Sequence, residues 1–406
     1  MNHDNAVTYR QRQNKYIAQG ALTNSKRPEC FVRGIYPEHI TRAKGAHVWD
    51  DKGKRYLDFI CALGTNLLGY AKKEINDAVK EALDKGNLYS FASTVEVEFA
   101  EAIANYFPFV EQIKVLKSGS DGCSAAVRIA RAHTKRDFIV SDGYHGWHDD
   151  FVRLTPPALG VPSSETHSAS LAILEDLAGS WQGKNIAAVI VEPVITDYSE
   201  ARVTFLKALK RRCEELGALL IFDETITALR FPGMSFSHWS GITPDLIVFG
   251  KALANGLPIS VVGGKRSVMS GSEYFVSTTY AGDTLAMAAA LKVMPMVKEA
   301  LPQMWETASL FQDDFNKIAP TLIRLDGYPT RGVLWGKDEI TKALFMQEMA
   351  KANTLFGSSW FWCEPHAYER DLVLSLAKIV LGKIIMGEAK LEGDLPRKPF
   401  AQKQRS

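Results

Sequence analysis

Three apolar runs in the middle of this chain each end on an ionisable group. Glu192 follows AAVIV, Asp223 follows ALLIF, and Lys251 follows LIVF with Gly250 between. In open α/β sheets the functional residues gather just past the carboxyl ends of the strands. Three such groups at successive strand ends read as a site, with salt bridges at a seam between domains as the other use for such a set.

Upstream, Lys117-Ser118-Gly119-Ser120-Asp121-Gly122 runs into a predicted helix from Cys123 to His133. Small residues opening a helix leave backbone N–H groups facing outward, where the helix dipole favours an anion, so this is a candidate phosphate cradle as well as an ordinary capped helix start. It is not a G-x-x-x-x-G-K-[ST] loop; the nearest imitation, Gly179 to Lys184, is one residue short and followed by Asn185. It is not a G-x-G-x-x-G fingerprint either. Next comes Tyr144-His145-Gly146-Trp147-His148-Asp149, an aromatic turn after the run Phe138 to Val140. It offers a face to stack on a planar ligand, or a turn packed by its own rings. The i, i+3 pair His145 and His148 has no second His or Cys cluster to complete a zinc site.

These residues need elements to hold them. The runs Phe138 to Val140, Ile186 to Val191, Leu219 to Phe222 and Leu246 to Phe249 alternate with amphipathic helices, the pattern of a mostly parallel α/β sheet. One such helix carries Phe205, Leu209, Cys213 and Leu216 at helical spacing, with Gly217 placed to end it in a left-handed cap. Nearer the N-terminus, KGAHVWDDKGKRYLDF from Lys44 to Phe59 predicts a β-hairpin turning over Asp50 to Gly53. Beyond Leu285 the spacing predicts helices over 286–301, 307–318, 338–353 and 367–386, with a turn through GYPTRG.

The bulk composition sets the class. The chain has 406 residues, 46% hydrophobic and 23% charged, with a net charge of +2. Those are ordinary globular values for more than one domain, and they supply no general drive toward nucleic acid or an anionic membrane. No stretch of about 18 uncharged apolar residues predicts a membrane span. The polar start, with Arg10, Arg12 and Lys15, lacks a signal-peptide core, so a cytoplasmic protein is expected. Five scattered cysteines, none in CxxC spacing, read as reduced packing residues.

The order of these motifs resembles the class III aminotransferases of fold type I, and within them the glutamate-1-semialdehyde aminomutase-like branch. The carriers are the hairpin with Trp49-Asp50, then SGSDG, YHGWHD, VIVEPV, IFDET, FGKALANGLPI and TTYAGDTLAMAAA, in family order over nearly the whole chain. The resemblance implies an α/β fold with a large domain, a mostly parallel seven-stranded sheet flanked by helices, and a small α+β domain built from both termini. The implied division is an N-terminal segment (1–64), a large cofactor domain (65–290) and a C-terminal small domain (291–406).

It further implies pyridoxal 5′-phosphate (PLP) as cofactor, bound as a Schiff base by Lys251, which also shuttles the substrate α-proton. Asp223 would pair with the pyridine nitrogen and keep it protonated. The interval from Asp223 to Lys251 suits a crossover between adjacent strand ends. Gly119 and Ser120 match the phosphate turn, Tyr144 the ring-stacking aromatic and Glu192 a site glutamate. Thr225 stands where the family usually carries Val. Thr279 matches a threonine reaching the phosphate of a neighbouring subunit, which implies a homodimer with a shared site. Arg33 aligns with an arginine that binds a substrate carboxylate.

Three departures fall on substrate recognition. Leu63 replaces a tryptophan, the loop before His366 is short, and the stretch between Ile318 and Gly332 is abbreviated. They favour an aminotransferase working between a small-molecule amino donor and a carbonyl acceptor over an intramolecular aminomutase. A non-catalytic protein of the same fold and a nicotinamide oxidoreductase are the remaining alternatives; the second lacks the glycine fingerprint.

Overall fold

The hairpin expected near the N-terminus is present in the computed structural model, which describes residues 8–152, 160–162, 165–168 and 185–397. Strands β2 (His47–Asp50) and β3 (Arg55–Asp58) pair antiparallel, with His47 opposite Leu57 and Val48 opposite Tyr56. Asp50 closes the turn, its Oδ1 accepting the N–H groups of Lys52 (3.0 Å) and Lys54 (2.7 Å). Strand β1 (Ile40–Lys44) pairs with β2 on one side. On the other, β13 (Thr354–Leu355) runs parallel to β3, so chain from both ends completes this sheet.

The four apolar runs lie together in one sheet, which has seven strands among the described residues. Its strands are β4 (Gln112–Leu116), β5 (Phe138–Asp142), β6 (Thr166–Ser168), β7 (Ile186–Val191), β8 (Leu219–Asp223), β9 (Leu246–Phe249) and β10 (Ser260–Gly264), in the order β4-β10-β9-β8-β7-β5-β6. From β9 through β6 all neighbours are parallel, whereas β10 is antiparallel to both β9 and β4. The central strands are unbroken apolar runs because both faces are covered. Leu220, Phe222, Ile247 and Phe249 join the main core on one face. Leu219, Ile221, Leu246 and Val248 pack with Ala126 and Ile129 of the helix Gly119–Thr134 on the other. That helix lies flush on the sheet: a Cβ on Gly122 would sit 2.6 Å from Val248 Cγ1.

Helix boundaries follow local chemistry. Ser199 caps Glu200–Leu216, and Gly217 ends it at φ 61, the left-handed cap expected from the sequence. The helix after the phosphate-like turn begins at Gly119, four residues before the expected Cys123, because the Ser118 hydroxyl and Asp121 carboxylate form a reciprocal capping box. The two helices expected over 286–301 and 307–318 are instead one, Thr284–Asn316, continuous through Pro295 and Pro302. An internal proline costs a helix about 3 kcal/mol. Val297, Leu301, Met304, Ala308 and Phe311, all buried along one stripe, offset that cost.

Past that helix, β11 (Ile323–Tyr328), β12 (Arg331–Gly336) and β14 (Ser359–Phe361) make a three-stranded antiparallel sheet in the order β11-β12-β14. Of this sheet, the sequence predicts only the turn between β11 and β12. The helices Glu339–Lys351 and Arg370–Ile385 close the chain close to their expected bounds. The Gly179 to Lys184 stretch and residues 398–406 of the locally basic end of the chain lie outside the described residues. Among the described residues no helix is long and apolar enough to cross a membrane.

Candidate active site

Parallel packing of β7, β8 and β9 carries Glu192, Asp223 and Lys251 to one edge of the sheet. They line a single cavity of about 630 Å³ with Gly119, Ser120, Tyr144 and Thr225. That volume suits a small-molecule or cofactor site. Seven sequence-predicted residues therefore meet. Thr279 and Arg33 do not line the cavity: both side chains are exposed, and the Arg33 main chain lies against Gly393.

Asp223, the last residue of β8, is 5% exposed and fully engaged. His145 Nδ1 lies 2.9 Å from its Oδ2, Cys123 Sγ donates to the same oxygen at 3.2 Å, and the Thr225 N–H donates to Oδ1 at 3.1 Å. His145 Nε2 lies 3.1 Å from the Asp142 carbonyl, which only accepts, so Nε2 carries a proton. With Nδ1 facing a carboxylate, the ring is satisfied on both sides as an imidazolium. Burial works to raise the Asp223 pKa, but the His145 hydrogen bond and charge, joined by Thr225 and Lys251, hold the carboxyl below its ordinary value. Burial likewise opposes charge on His145, and Asp223 reverses it to leave that pKa raised. The outcome is a buried, ionised carboxylate facing the cavity.

Lys251 follows Gly250, which continues β9, and takes a left-handed backbone at φ 41. Such a conformation costs a non-glycine residue about 1–2 kcal/mol and clusters at functional positions. Burial lowers the Lys251 pKa, and the charges of Asp223 and Glu192 only partly restore it. Burial and the neighbouring Asp223 raise the Glu192 pKa. Glu192 accepts the Tyr144 N–H at 2.7 Å, which fixes the aromatic turn against the end of β7. Arg202 clamps the same strand end, donating to the carbonyls of Glu192 (3.1 Å) and Pro193 (2.9 Å).

The anion cradle is built by close approach. Gly119 lies so near Thr225 that a Cβ would meet its Cγ2 at 2.9 Å. Gly146, at φ +105, brings the aromatic turn against Ser120, where a Cβ would lie 2.2 Å from Oγ. Ser260 Oγ donates to the Ser118 carbonyl at 2.6 Å, tying the turn to β10. Lys117 is already spent on Asp283 at 2.7 Å.

Sequence reasoning missed four contributors. Cys123 and His145 act through Asp223, Ser25 reaches the cavity from the N-terminal segment, and Arg331 lines it from the start of β12. His145 lies in the aromatic turn that the sequence marks, but its pairing with Asp223 does not show there; Cys123, Ser25 and Arg331 carry no local signal, because each is brought in by tertiary contact.

Known proteins resemble the chain in sequence and in fold. The class III aminotransferase family matches residues 34–319. The chain is 33% identical over 289 residues to the glutamate-1-semialdehyde 2,1-aminomutase of Syntrophobacter fumaroxidans, covering 66% of each protein. It is 34% identical over 307 residues to that of Neisseria gonorrhoeae, covering 70% of this chain and 72% of the relative. The structure of the FumI protein of Sphingopyxis sp. MTA144, solved in its PLP internal aldimine form, superposes with a TM-score of 0.86 at 24% identity, covering 95% of this chain and 97% of that one.

The residues fit PLP: a helix N-terminus kept free of side-chain bulk for a phosphate, an ionised buried carboxylate for a pyridinium, and an amine with a lowered pKa for an aldehyde. The chain belongs to the class III aminotransferase family, PLP-dependent enzymes acting on nitrogenous groups.

Proposed function

We propose that the protein moves an amino group between an amino donor and a small carbonyl compound in two half-reactions at Lys251. The observation that carries this reading is the buried, charged Asp223 and the amine of Lys251 at adjacent parallel strand ends of one cavity. When bound, PLP supplies the electron sink for loss of the substrate α-proton.

The remaining work falls to the chain. The Lys251 amine would hold the cofactor, and its Nζ is the group placed to take a proton from the substrate α-carbon and return it. Its lowered pKa makes the neutral, proton-accepting form available. Asp223, kept ionised by His145, would pair with the ring nitrogen and keep it protonated. The N–H groups at Gly119 and Ser120 would hold the phosphate, and Tyr144 and Thr225 would flank the ring. Glu192 steadies the Tyr144 turn. The functional unit is a cytoplasmic homodimer in which exposed Thr279 reaches the neighbouring subunit's phosphate.

A second reading, the intramolecular aminomutase, draws on the names of the relatives at 33–34% identity. Leu63 in place of a tryptophan disfavours it. Loading purified protein with PLP is expected to give the visible absorption of the lysine-bound cofactor, absent in Lys251→Ala; colourless wild type would reject both readings. Turnover that strictly needs an added amino donor separates the first from the second.

A further inference from the structure

Two buried arginines flank the substrate end of the cavity, and they are used differently. Arg230, fully buried, donates to the carbonyls of Gly64 (2.6 Å) and Thr330 (3.1 Å), and its guanidinium lies 5.2 Å from the centre of the Phe361 ring. It holds the cavity wall together and does not line the cavity. Arg331, the first residue of β12, is 7% exposed and does line it, together with Lys251, Glu192, Leu63 and Phe361. Its Nη1 donates to the Ile195 carbonyl. Among the described residues its Nε is buried without a hydrogen-bond partner, Nη2 makes no hydrogen bond, and no carboxylate lies within ion-pair distance.

A cation taken out of water against one carbonyl is costly unless an anion completes it. The phosphate of the cofactor is not that anion, since the Gly119 and Ser120 turn takes it. Nε and Nη2 share one edge of the guanidinium, the edge that pairs with both oxygens of a carboxylate.

We propose that Arg331 is the specificity-determining residue of this site and anchors a carboxylate of the amino donor or acceptor, so that the substrates are amino and oxo acids whose bodies lie against Leu63 and Phe361. This rests on the amino-transfer reading and assigns the anchor to a residue outside the motifs that identified the family.

The test uses the full-length, PLP-loaded protein and follows bleaching of the visible absorption by L-alanine, L-glutamate, β-alanine and 4-aminobutyrate against ethylamine and propylamine. At least one amino acid is expected to react with a kcat/KM about 100-fold above either plain amine. Arg331→Gln and Arg331→Lys should each lower that value about 100-fold, mainly through KM, while the plain amines change less than about threefold. Retained colour in the variants shows that they fold. Plain amines as good as the amino acids, equal losses for both classes, or loss of discrimination in Arg33→Gln but not in Arg331→Gln would each overturn the assignment. Should wild type react with no amine, the amino-transfer reading fails on its own. Calorimetric titration with succinate then decides Arg331: binding lost in Arg331→Gln supports it, and no binding to wild type rejects it.

Discussion

The two ends of the cavity are built by different means. The cofactor end stands on the seven-stranded sheet, where Glu192, Asp223 and Lys251 follow parallel strands buried on both faces and each side chain has named partners or a charged neighbour. The substrate end stands on irregular chain. Cys61, Ala62 and Leu63 take left-handed φ values of 47, 50 and 62°, followed by Gly64 at 85°. That turn is held by Arg230 and by the Phe361 ring, which fills the place a Gly64 Cβ would occupy. Regular strands fix chemistry that many substrates share. A strained turn and one underused arginine fix which substrate enters, and these can change without disturbing the sheet.

The sharpest way to break this comparison is at the cofactor end. Asp223→Ala should lower the rate of the amino half-reaction by about 10²–10³-fold, because a preorganised charge facing the reacting ring is lost. It should also remove the raised pKa of His145, readable by NMR titration of the ring. In wild type the raised His145 pKa contributes stability that is fully present below the ordinary histidine value and is lost as pH rises through the folded-state pKa. The lowered Asp223 pKa contributes stability above the ordinary aspartate value that is lost as pH falls through its folded-state pKa. Asp223→Ala should flatten both dependences in urea melts of the cofactor-free protein.

At the substrate end, Leu63→Trp should shift relative kcat/KM among amino donors by about 10-fold while the visible spectrum stays that of wild type. A spectral change would show that the two ends are not independent. Gly146→Ala should weaken PLP binding and cost about 1–3 kcal/mol of stability, since a Cβ at φ +105 collides with Ser120. Fluorescence titration of PLP and a melt check both parts.

The smallest effect concerns the buried amine. Lys251→Met should stabilise the cofactor-free protein by about 1 kcal/mol at neutral pH. The folded-state pKa of Lys251 lies below its ordinary 10.5, so the unfolded chain binds the extra proton and wild-type stability rises with pH through that window. The advantage of Met should therefore shrink as pH approaches 10.5.

The same contrast explains what the sequence could be made to say. Leu219 to Phe222 and Leu246 to Phe249 are legible as strands because burial on both faces leaves no polar position in them. The residues that follow them are legible for the same reason, as charges interrupting apolar text. The helix Thr284–Asn316 was not legible as one element, because prolines read as stops until the buried stripe that outweighs them is known. Strand β11 was missed although Ile323 and Leu325 alternate with Arg324 and Asp326. Four residues of alternation beside a turn carry too little signal. Arg331 looked like any loop arginine; its burial depends on β14 and on the carbonyl of Ile195, distant parts of the chain. Arg33 shows the converse, since motif position suggested a substrate contact and the fold leaves its side chain exposed outside the cavity.

The most direct measurement of the central claim follows the visible absorption of PLP-loaded protein through one complete cycle, with a stoichiometric amino acid added first and an oxo acid second. The account predicts loss of the lysine-bound cofactor's absorption on the first addition and its return on the second in wild type, with neither change in Lys251→Ala. Cycling that survives in Lys251→Ala, or a wild-type spectrum that responds to neither addition, would contradict it.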